Sequence, residues 1–397
     1  MFDIEKASRE KGMIQESALI FSDIYPNLLL SWATGTSKTL TVIRIIENLR
    51  SASCLYPKIY IVLKETNHEQ NWRDEFSKWG LTYLLTGVTF LCYASLHKYV
   101  EEEVDILILD ECHALSEMRE DYLKTIKCDK IISLSATVGE EVKKRIKAYK
   151  TGFYEYHISL QTAIDRGILP EPKIYVVYVD LENTKKVFIS PWTKKPKGGG
   201  AITARMMTAK EYYKELSKKI DWFEEQIGEA DESGEQNWIH NRWIQIMGLR
   251  KKFIAKAKTD AAQLLLQYLA DKRYICFCGS IEQADELGGS LTIHSKISKK
   301  EIEESLNLFQ KGKTRHIYAV GMLRESMNLN GIEAAIIVQL DNQSGSAEQM
   351  IGRSLRSIAP EVYILILRGT KDEDYFDRAT RGIGSQYISE YIWPKDE

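Results

Sequence analysis

Long apolar runs are absent from this 397-residue chain, and none approaches the length needed to span a bilayer. The first residues, MFDIEKASREKG, are charged and lack the apolar core of a secretory signal, so a cytoplasmic protein is expected. An excess of either charge is also missing. Lys and Arg number 54 against 56 Asp and Glu, a net charge of −2, so no global field draws the chain to nucleic acid. Any such binding must come from a local groove, which needs only a handful of placed cations. Cysteines are few, six in all and scattered. Cys276 and Cys278 alternate on an apparent strand, but a metal site would need a second pair at ligand spacing, and none exists. Two small core residues in a reducing compartment is the simpler reading. Tandem repeats and low-complexity tails are absent as well.

What is present is a soluble composition, 44% hydrophobic and 28% charged, at a length that suits two domains plus an insertion. Short apolar runs alternate with amphipathic helical patterns: NLLLSW (27–32), KIYIVL (58–63), VTFLCY (88–93), VDILILD (104–110) and KIISLSAT (130–137). Nearly continuous apolar strands between helices predict an α/β fold with a parallel sheet covered on both faces. The pattern returns in YICFCG (274–279), LTIHS (291–295), HIYAVG (316–321), AAIIVQL (334–340) and VYILIL (362–367), predicting a second such lobe. We therefore expect a first lobe over 1–160, a linker with a basic loop over 161–206, a helical hairpin over 207–270, and a second lobe over 271–397.

Three clusters carry chemistry. Thr34-Gly35-Thr36-Ser37-Lys38-Thr39 follows an apolar strand and opens an amphipathic helix, the setting in which backbone N–H groups cradle phosphate. Lys38 would neutralise the β- and γ-phosphates of ATP, and the Thr39 hydroxyl would sit on Mg²⁺. Asp110 and Glu111 end a buried strand, where α/β sheets place ligands. Asp110 would hold Mg²⁺, usually through water, and Glu111 would orient and deprotonate the attacking water. Gln349, Arg353 and Arg356 are spaced by four and three and share one helix stripe, beside Gly352. That stripe is either a solvated surface or a pair of arginines aimed at a γ-phosphate held by the other lobe.

Taken in order, the clusters resemble a superfamily 2 helicase or translocase. ATGTSKT resembles motif I, DECH motif II, Ser135-Ala136-Thr137 motif III and QMIGRSLR motif VI. IVLKETNHEQNWRDEFSKWG resembles the Ia region, CYASLHKY Ib, FCGSIEQADEL motif IV and VGMLRESMNL motif V. The match covers roughly residues 10 to 370 and looks closest to compact bacterial and phage helicases of the branch-migration and restriction-motor kind. The resemblance implies two tandem RecA-like lobes with ATP between them. It also implies an adenine-reading Gln15, and coupling roles for His113, Ser135, Thr137, Glu325 and Asn328. Alone, His113 would read as a satisfied core histidine. Phosphate-track contacts are implied near Lys64-Glu65-Thr66, Tyr93-Ala94-Ser95 and Ser280, on DNA, with RNA left open because the motifs read phosphate.

Three positions depart from the family pattern: Ser37 replaces the last loop glycine, Trp32 holds the loop's first position, and Ser326 stands for a glycine of motif V. A left-handed backbone at residue 37 would cost a serine about 1–2 kcal/mol. Three functions remain open: a DNA helicase or translocase, a nucleic-acid clamp with a weakened ATP site, and a motor subunit whose replication, recombination or restriction complex carries any nuclease on another chain. In the hairpin, Trp222, Trp238 and Trp243 with Arg242, Arg250, Lys251 and Lys252 form either a small core or a DNA-facing arm; aromatics at helical spacing more often belong to a core. The basic loop Lys194-Lys195-Pro196-Lys197 is a further candidate for phosphate contact.

Overall fold

The computed structural model describes residues 2–52, 57–66, 68–192, 204–229, 234–321, 331–340, 350–352 and 357–392. The first lobe is built on β1 (Asn27–Trp32), β2 (Ile59–Leu63), β3 (Val88–Cys92), β4 (Glu103–Leu109), β5 (Lys127–Ser135) and β6 (Phe153–Ile158). They form one parallel sheet in the order β3-β2-β4-β5-β1-β6. β1 and β2 are buried at every position, as strands covered on both faces must be. The covering helices are α1 (Ile4–Ile24), α2 (Lys38–Ala52), α3 (His68–Lys78), α4 (Glu117–Thr125), α5 (Glu140–Tyr149) and α6 (Leu160–Asp165). α1 starts where the Asp3 carboxylate accepts the Lys6 backbone N–H at 2.9 Å, satisfying one of the free donors of the first turn.

The second lobe is a seven-stranded sheet, also wholly parallel, built on β7 (Lys173–Val179), β10 (Tyr274–Phe277), β11 (Thr292–Ile293), β12 (His316–Ala319), β13 (Ala334–Ile337), β14 (Glu361–Leu367) and β15 (Ile388–Glu390). Its helices include α9 (Thr259–Tyr268), α10 (Ile281–Gly288) and α11 (Lys299–Gln310), the last opened by a Ser298/Glu301 capping box. The expected α/β fold of two parallel-sheet lobes is therefore present. The expected linker is more ordered than its composition suggests. β7 joins the second sheet between β14 and β15, because KIYVVYV is a buried apolar run like its neighbours.

Within that same segment β8 (Lys186–Ile189) and β9 (Ala204–Met207) pair as an antiparallel ribbon, with residues 193–203 outside the described part. The hairpin consists of α7 (Ala209–Glu229) and α8 (Gly234–Ala257) packed side by side. Tyr212, Leu216 and Met207 pack with Phe188, Ile246 and Phe253 in a small core of their own, the Phe188 and Tyr212 rings stacked at 4.5 Å. Within the expected hairpin of 207–270 the second helix does not run through to the end: it stops at Ala257, and α9 starts at Thr259, with Lys258 at the break. The Lys258 side chain, fully buried, donates to the Leu365 carbonyl at 3.1 Å and pairs with the equally buried Asp372. That anchor turns α9 onto the second lobe, where Ala262, Leu265 and Leu269 join its core.

Candidate nucleotide site between the lobes

Three neighbouring strands, β4, β5 and β1, end at the same edge of the first sheet, and each delivers one cluster there. β1 ends in Trp32, whose buried indole meets Tyr156 edge-on at 5.2 Å. The departure at the loop's first position is thus absorbed by the core. The loop that follows turns through Gly35 (φ 88°) and Ser37 (φ 70°) before α2 begins at Lys38. Gly35 has a second constraint, since an added Cβ would lie 3.2 Å from a Leu169 methyl. Ser37 occupies the left-handed region that the sequence identified as the costly alternative. Thr36 fixes the turn by donating its hydroxyl to the Ala33 carbonyl at 2.7 Å.

Lys38 Nζ donates to the Trp32 carbonyl at 2.8 Å and the Ala33 carbonyl at 3.3 Å, folding the ammonium over the loop. Burial lowers its pKa, opposed by the charges of Glu111 and then Asp110. Thr34 and Thr39 lie on the same loop and helix start, both half-buried.

The carboxylates sit one strand beyond β5. Asp110 Oδ2 accepts the Trp72 indole N–H at 2.9 Å, and Oδ1 accepts the Glu111 backbone N–H at 3.0 Å. Even so, burial and the adjacent Glu111 push the Asp110 pKa up to about 6, against the pull of Trp72 and Lys38. Glu111 itself is left-handed (φ 46°, ψ 53°), a strained geometry of the sort that clusters at functional sites. Its Oε2 lies 3.3 Å from His113 Nδ1 and 3.5 Å from Ser135 Oγ, while His113 Nδ1 and Ser135 Oγ are 3.0 Å apart. Ser135 Oγ also donates to the Thr137 carbonyl at 2.9 Å. His113, Ser135 and Thr137 therefore form one polar network behind Glu111, rather than a lone histidine satisfied in a core. Cys112, between them, is buried, and its thiol pKa is pushed far up.

This donor set fits a small divalent ion held largely by phosphate and water. The ligands are hard oxygens, the carboxylate charge is under-compensated, and no group of three metal-binding side chains exists among the described residues.

From the second lobe, Gly352 reaches the loop directly. A Cβ there would lie 3.0 Å from Thr34 Cβ, tighter than nearly all real contacts, so a larger residue would have to push Thr34 aside. Gln349, Arg353, Arg356, Glu325, Ser326 and Asn328 lie outside the described residues. Gln15 is buried on α1 with its carbonyl oxygen accepting Arg44 Nη1 at 2.7 Å, so the predicted base reader faces α2. A cavity of about 280 Å³ that the sequence did not reveal opens beside Gly35, walled by Phe2, Ile4, Ile168, Leu169 and, from the second lobe, Ile358. These are ordinary apolar residues far apart in sequence, so no local signal marks them. Along the same sheet edges, Ser95 and Ser280 spend their hydroxyls on their own turns, Ser95 on the Cys92 backbone and Ser280 on the Gln283 N–H. Tyr93 is buried, while Glu65 and Thr66 are exposed and Lys64 half-exposed.

Two tandem parallel-sheet lobes, with the 34–39 loop and a carboxylate pair at the edge of the first and Gly352 of the second against Thr34, have the architecture of tandem RecA-like lobes. Residues 13–140 match the family described as type III restriction enzyme, res subunit, and residues 257–357 match the helicase conserved C-terminal domain. The chain belongs to helicase superfamily 2. Among solved structures, S. cerevisiae Dbp5 bound to RNA and ADP BeF3 aligns over 95% of this chain and 89% of its own at 13% identity, TM-score 0.60. The helicase domain of Pyrococcus furiosus Hef aligns over 92% and 97% at 14% identity, TM-score 0.52. At such identities the likeness is one of fold. No curated protein matches the chain. No described helix is long and apolar enough to cross a membrane.

Proposed function

We propose that this superfamily 2 ATPase is a DNA helicase or translocase, hydrolysing ATP between its lobes to move on or remodel DNA. The observation that carries the reading is the gathering of Lys38, Asp110, Glu111 and Ser135 at three adjacent strand ends, with Gly352 of the other lobe against Thr34. In this reading the Lys38 ammonium leaves the Trp32 and Ala33 carbonyls for the β- and γ-phosphates, and loop N–H groups of Gly35, Thr36 and Ser37 take the remaining oxygens. Mg²⁺, held by the Thr39 hydroxyl and through water by Asp110, would supply neutralisation of phosphate charge. Glu111 orients the attacking water and takes its proton, its carboxylate steadied by His113 and Ser135. Gln349, Arg353 and Arg356 complete the site from the second lobe. Adenine takes the apolar cavity beside Gly35, with Gln15 freed from Arg44 to read its edge.

Closure and reopening then step the sugar-phosphate track across the carboxyl ends of β2, β3 and β10, and Ser135 with Thr137, together with Glu325 and Asn328, relay the nucleotide state. DNA is proposed over RNA from the restriction-subunit family description alone, and the same description supports a partner chain in a restriction complex, with replication and recombination complexes as the alternatives. The test is steady-state ATP hydrolysis with single-stranded, duplex, forked and four-way DNA and matched RNA. Stimulation by a DNA form, abolished by Lys38→Ala, is expected; hydrolysis at the Lys38→Ala level with every nucleic acid would overturn the reading.

One observation favours a second reading, a nucleic-acid clamp with a weakened ATP site: Ser37 in a left-handed backbone. Ser37→Gly separates the two. In a working motor it raises nucleotide affinity by no more than about thirtyfold, the ceiling set by 1–2 kcal/mol of relieved strain. In a degraded clamp it raises turnover from background.

A further inference from the structure

We infer that the outer face of α8 is a second nucleic-acid contact, remote from the nucleotide site, taking the sugar-phosphate backbone on its cations and a base on Trp238. The inference rests on the motor reading above and adds a surface to it. Trp238, Arg242, Gln245, Leu249, Lys252 and Lys256 are spaced by four, three, four, three and four residues, so they form one stripe. All six are exposed. The stripe runs about 27 Å along the helix at 1.5 Å per residue, room for several nucleotides.

Its charge is one-sided. From Trp238 to Ala257 the helix carries no carboxylate, whereas α7, packed beside it, exposes Glu211, Asp221, Glu224 and Glu225 among its lysines. A merely solvated face mixes its signs, as α7 does. A face of cations with an aromatic at one end has the composition that tracks a polyanion. The other aromatics of the hairpin are engaged: Trp192 and Trp222 enclose the Lys219 ammonium at 3.9 and 4.5 Å, and Trp243 donates to Glu224 at 3.2 Å. Trp238 is 55% exposed, with the Arg242 guanidinium over its ring at 5.8 Å. Arg242 shares Gln245 as a neutral partner, and Lys252 meets Glu282 only at 3.5 Å across the surface, an exchangeable contact. Arg250, by contrast, is buried toward Ser217 and does not belong to the face.

The full-length chain tests this by fluorescence anisotropy with labelled forked DNA and labelled single strand over a salt series. The variants are Arg242→Gln/Lys252→Gln/Lys256→Gln and, separately, Trp238→Ala; ATP hydrolysis without nucleic acid serves as the control for folding. The triple variant is expected to flatten the plot of log affinity against log salt by about 2–3, at roughly 0.7–0.9 per lost phosphate contact. Trp238→Ala is expected to weaken binding about tenfold with the salt slope kept, and Trp238→Phe to restore it. Wild-type affinity and slope in both variants would overturn the inference while leaving the motor reading intact. A wild-type chain that binds no nucleic acid would overturn both. Loss of a bound protein with nucleic-acid affinity unchanged would assign the face to a protein and likewise overturn it.

Discussion

The indole N–H of Trp72 donates to Asp110 Oδ2 at 2.9 Å, tying α3 to the carboxylate at the end of β4. α3 opens two residues after Thr66, in the stretch where a phosphate track is proposed, so this bond joins that stretch to the nucleotide site through a single side chain. Trp72→Phe keeps the buried ring, 1% exposed, and removes only the donor. A hydrogen bond to a charged group is worth about 1.5–3 kcal/mol, so the carboxylate becomes both less ordered and less willing to ionise. The expected outcome is a several-fold higher Mg²⁺ concentration for half-maximal ATP hydrolysis, with DNA affinity unchanged. An unaltered Mg²⁺ requirement would show that the bond only fills space.

Asp110 also carries a stability cost whose sign can be read directly. Its folded pKa, about 6, lies above the ordinary value of 3.8, so the folded state holds the proton more tightly than the unfolded chain. Ionisation therefore costs stability, increasingly from pH 4 to 6 and fully above 6, by about 3 kcal/mol at 1.36 kcal/mol per pKa unit. Asp110→Asn removes that cost. Denaturant unfolding of the nucleotide-free protein is expected to find the variant more stable at pH 8 by as much as about 2–3 kcal/mol, with the gap closing below pH 4, while ATP hydrolysis is lost. Equal stability at pH 8 would mean the carboxylate is better solvated than its surroundings suggest.

How much of this was written in the sequence depends on whether a feature is local. The strands β1, β2 and β4 and the clusters at their ends are contiguous and strongly patterned, so residues 27–38 and 104–113 are legible as strand, turn and cluster, although the left-handed backbone of Glu111 and the fold of Lys38 over the Trp32 carbonyl are not. β6 and β7 are not, because FYEYHI mixes polar and aromatic residues and KIYVVYV sits in a segment whose flanks read as a loop. The cavity beside Gly35 was invisible, since Phe2, Ile168 and Ile358 meet only after folding. Ser37 shows the intermediate case. The sequence flagged the substitution and the cost a left-handed backbone would carry, and only the backbone angle showed that residue 37 adopts it.

Lys258 marks where local pattern gave way to a tertiary tie. Helix propensity runs unbroken through KAKTDAAQ, yet the chain turns there because the Lys258 ammonium is held by Asp372, which also accepts Gln339 Nε2 at 2.9 Å and the Leu367 N–H at 3.1 Å. Burial lowers the lysine pKa and Asp372 opposes it. Removing one member of such a pair strands the other charge, so Lys258→Met is expected to cost about 3–5 kcal/mol in denaturant unfolding. Lys258→Met combined with Asp372→Asn should recover a large part of that. Purely additive losses would show that the two side chains are not energetically paired.

Gly352 of the second lobe packs against Thr34 at the start of the candidate phosphate loop. An alanine at 352 would place its Cβ 3.0 Å from Thr34 Cβ, tighter than ordinary contact, and the strain would be relieved most cheaply by holding the lobes apart. A clash at one glycine leaves the buried side chains on both sheets in place, so the variant should fold with nearly the wild-type melting temperature. In the proposed function, however, closure is what brings the second lobe to the phosphates. Gly352→Ala is therefore expected to lower turnover at least tenfold with little change in thermal stability, and Thr34→Gly in the same chain to restore part of it by removing the opposing Cβ. Wild-type turnover in Gly352→Ala would mean that the lobes work at a separation wider than the one seen here.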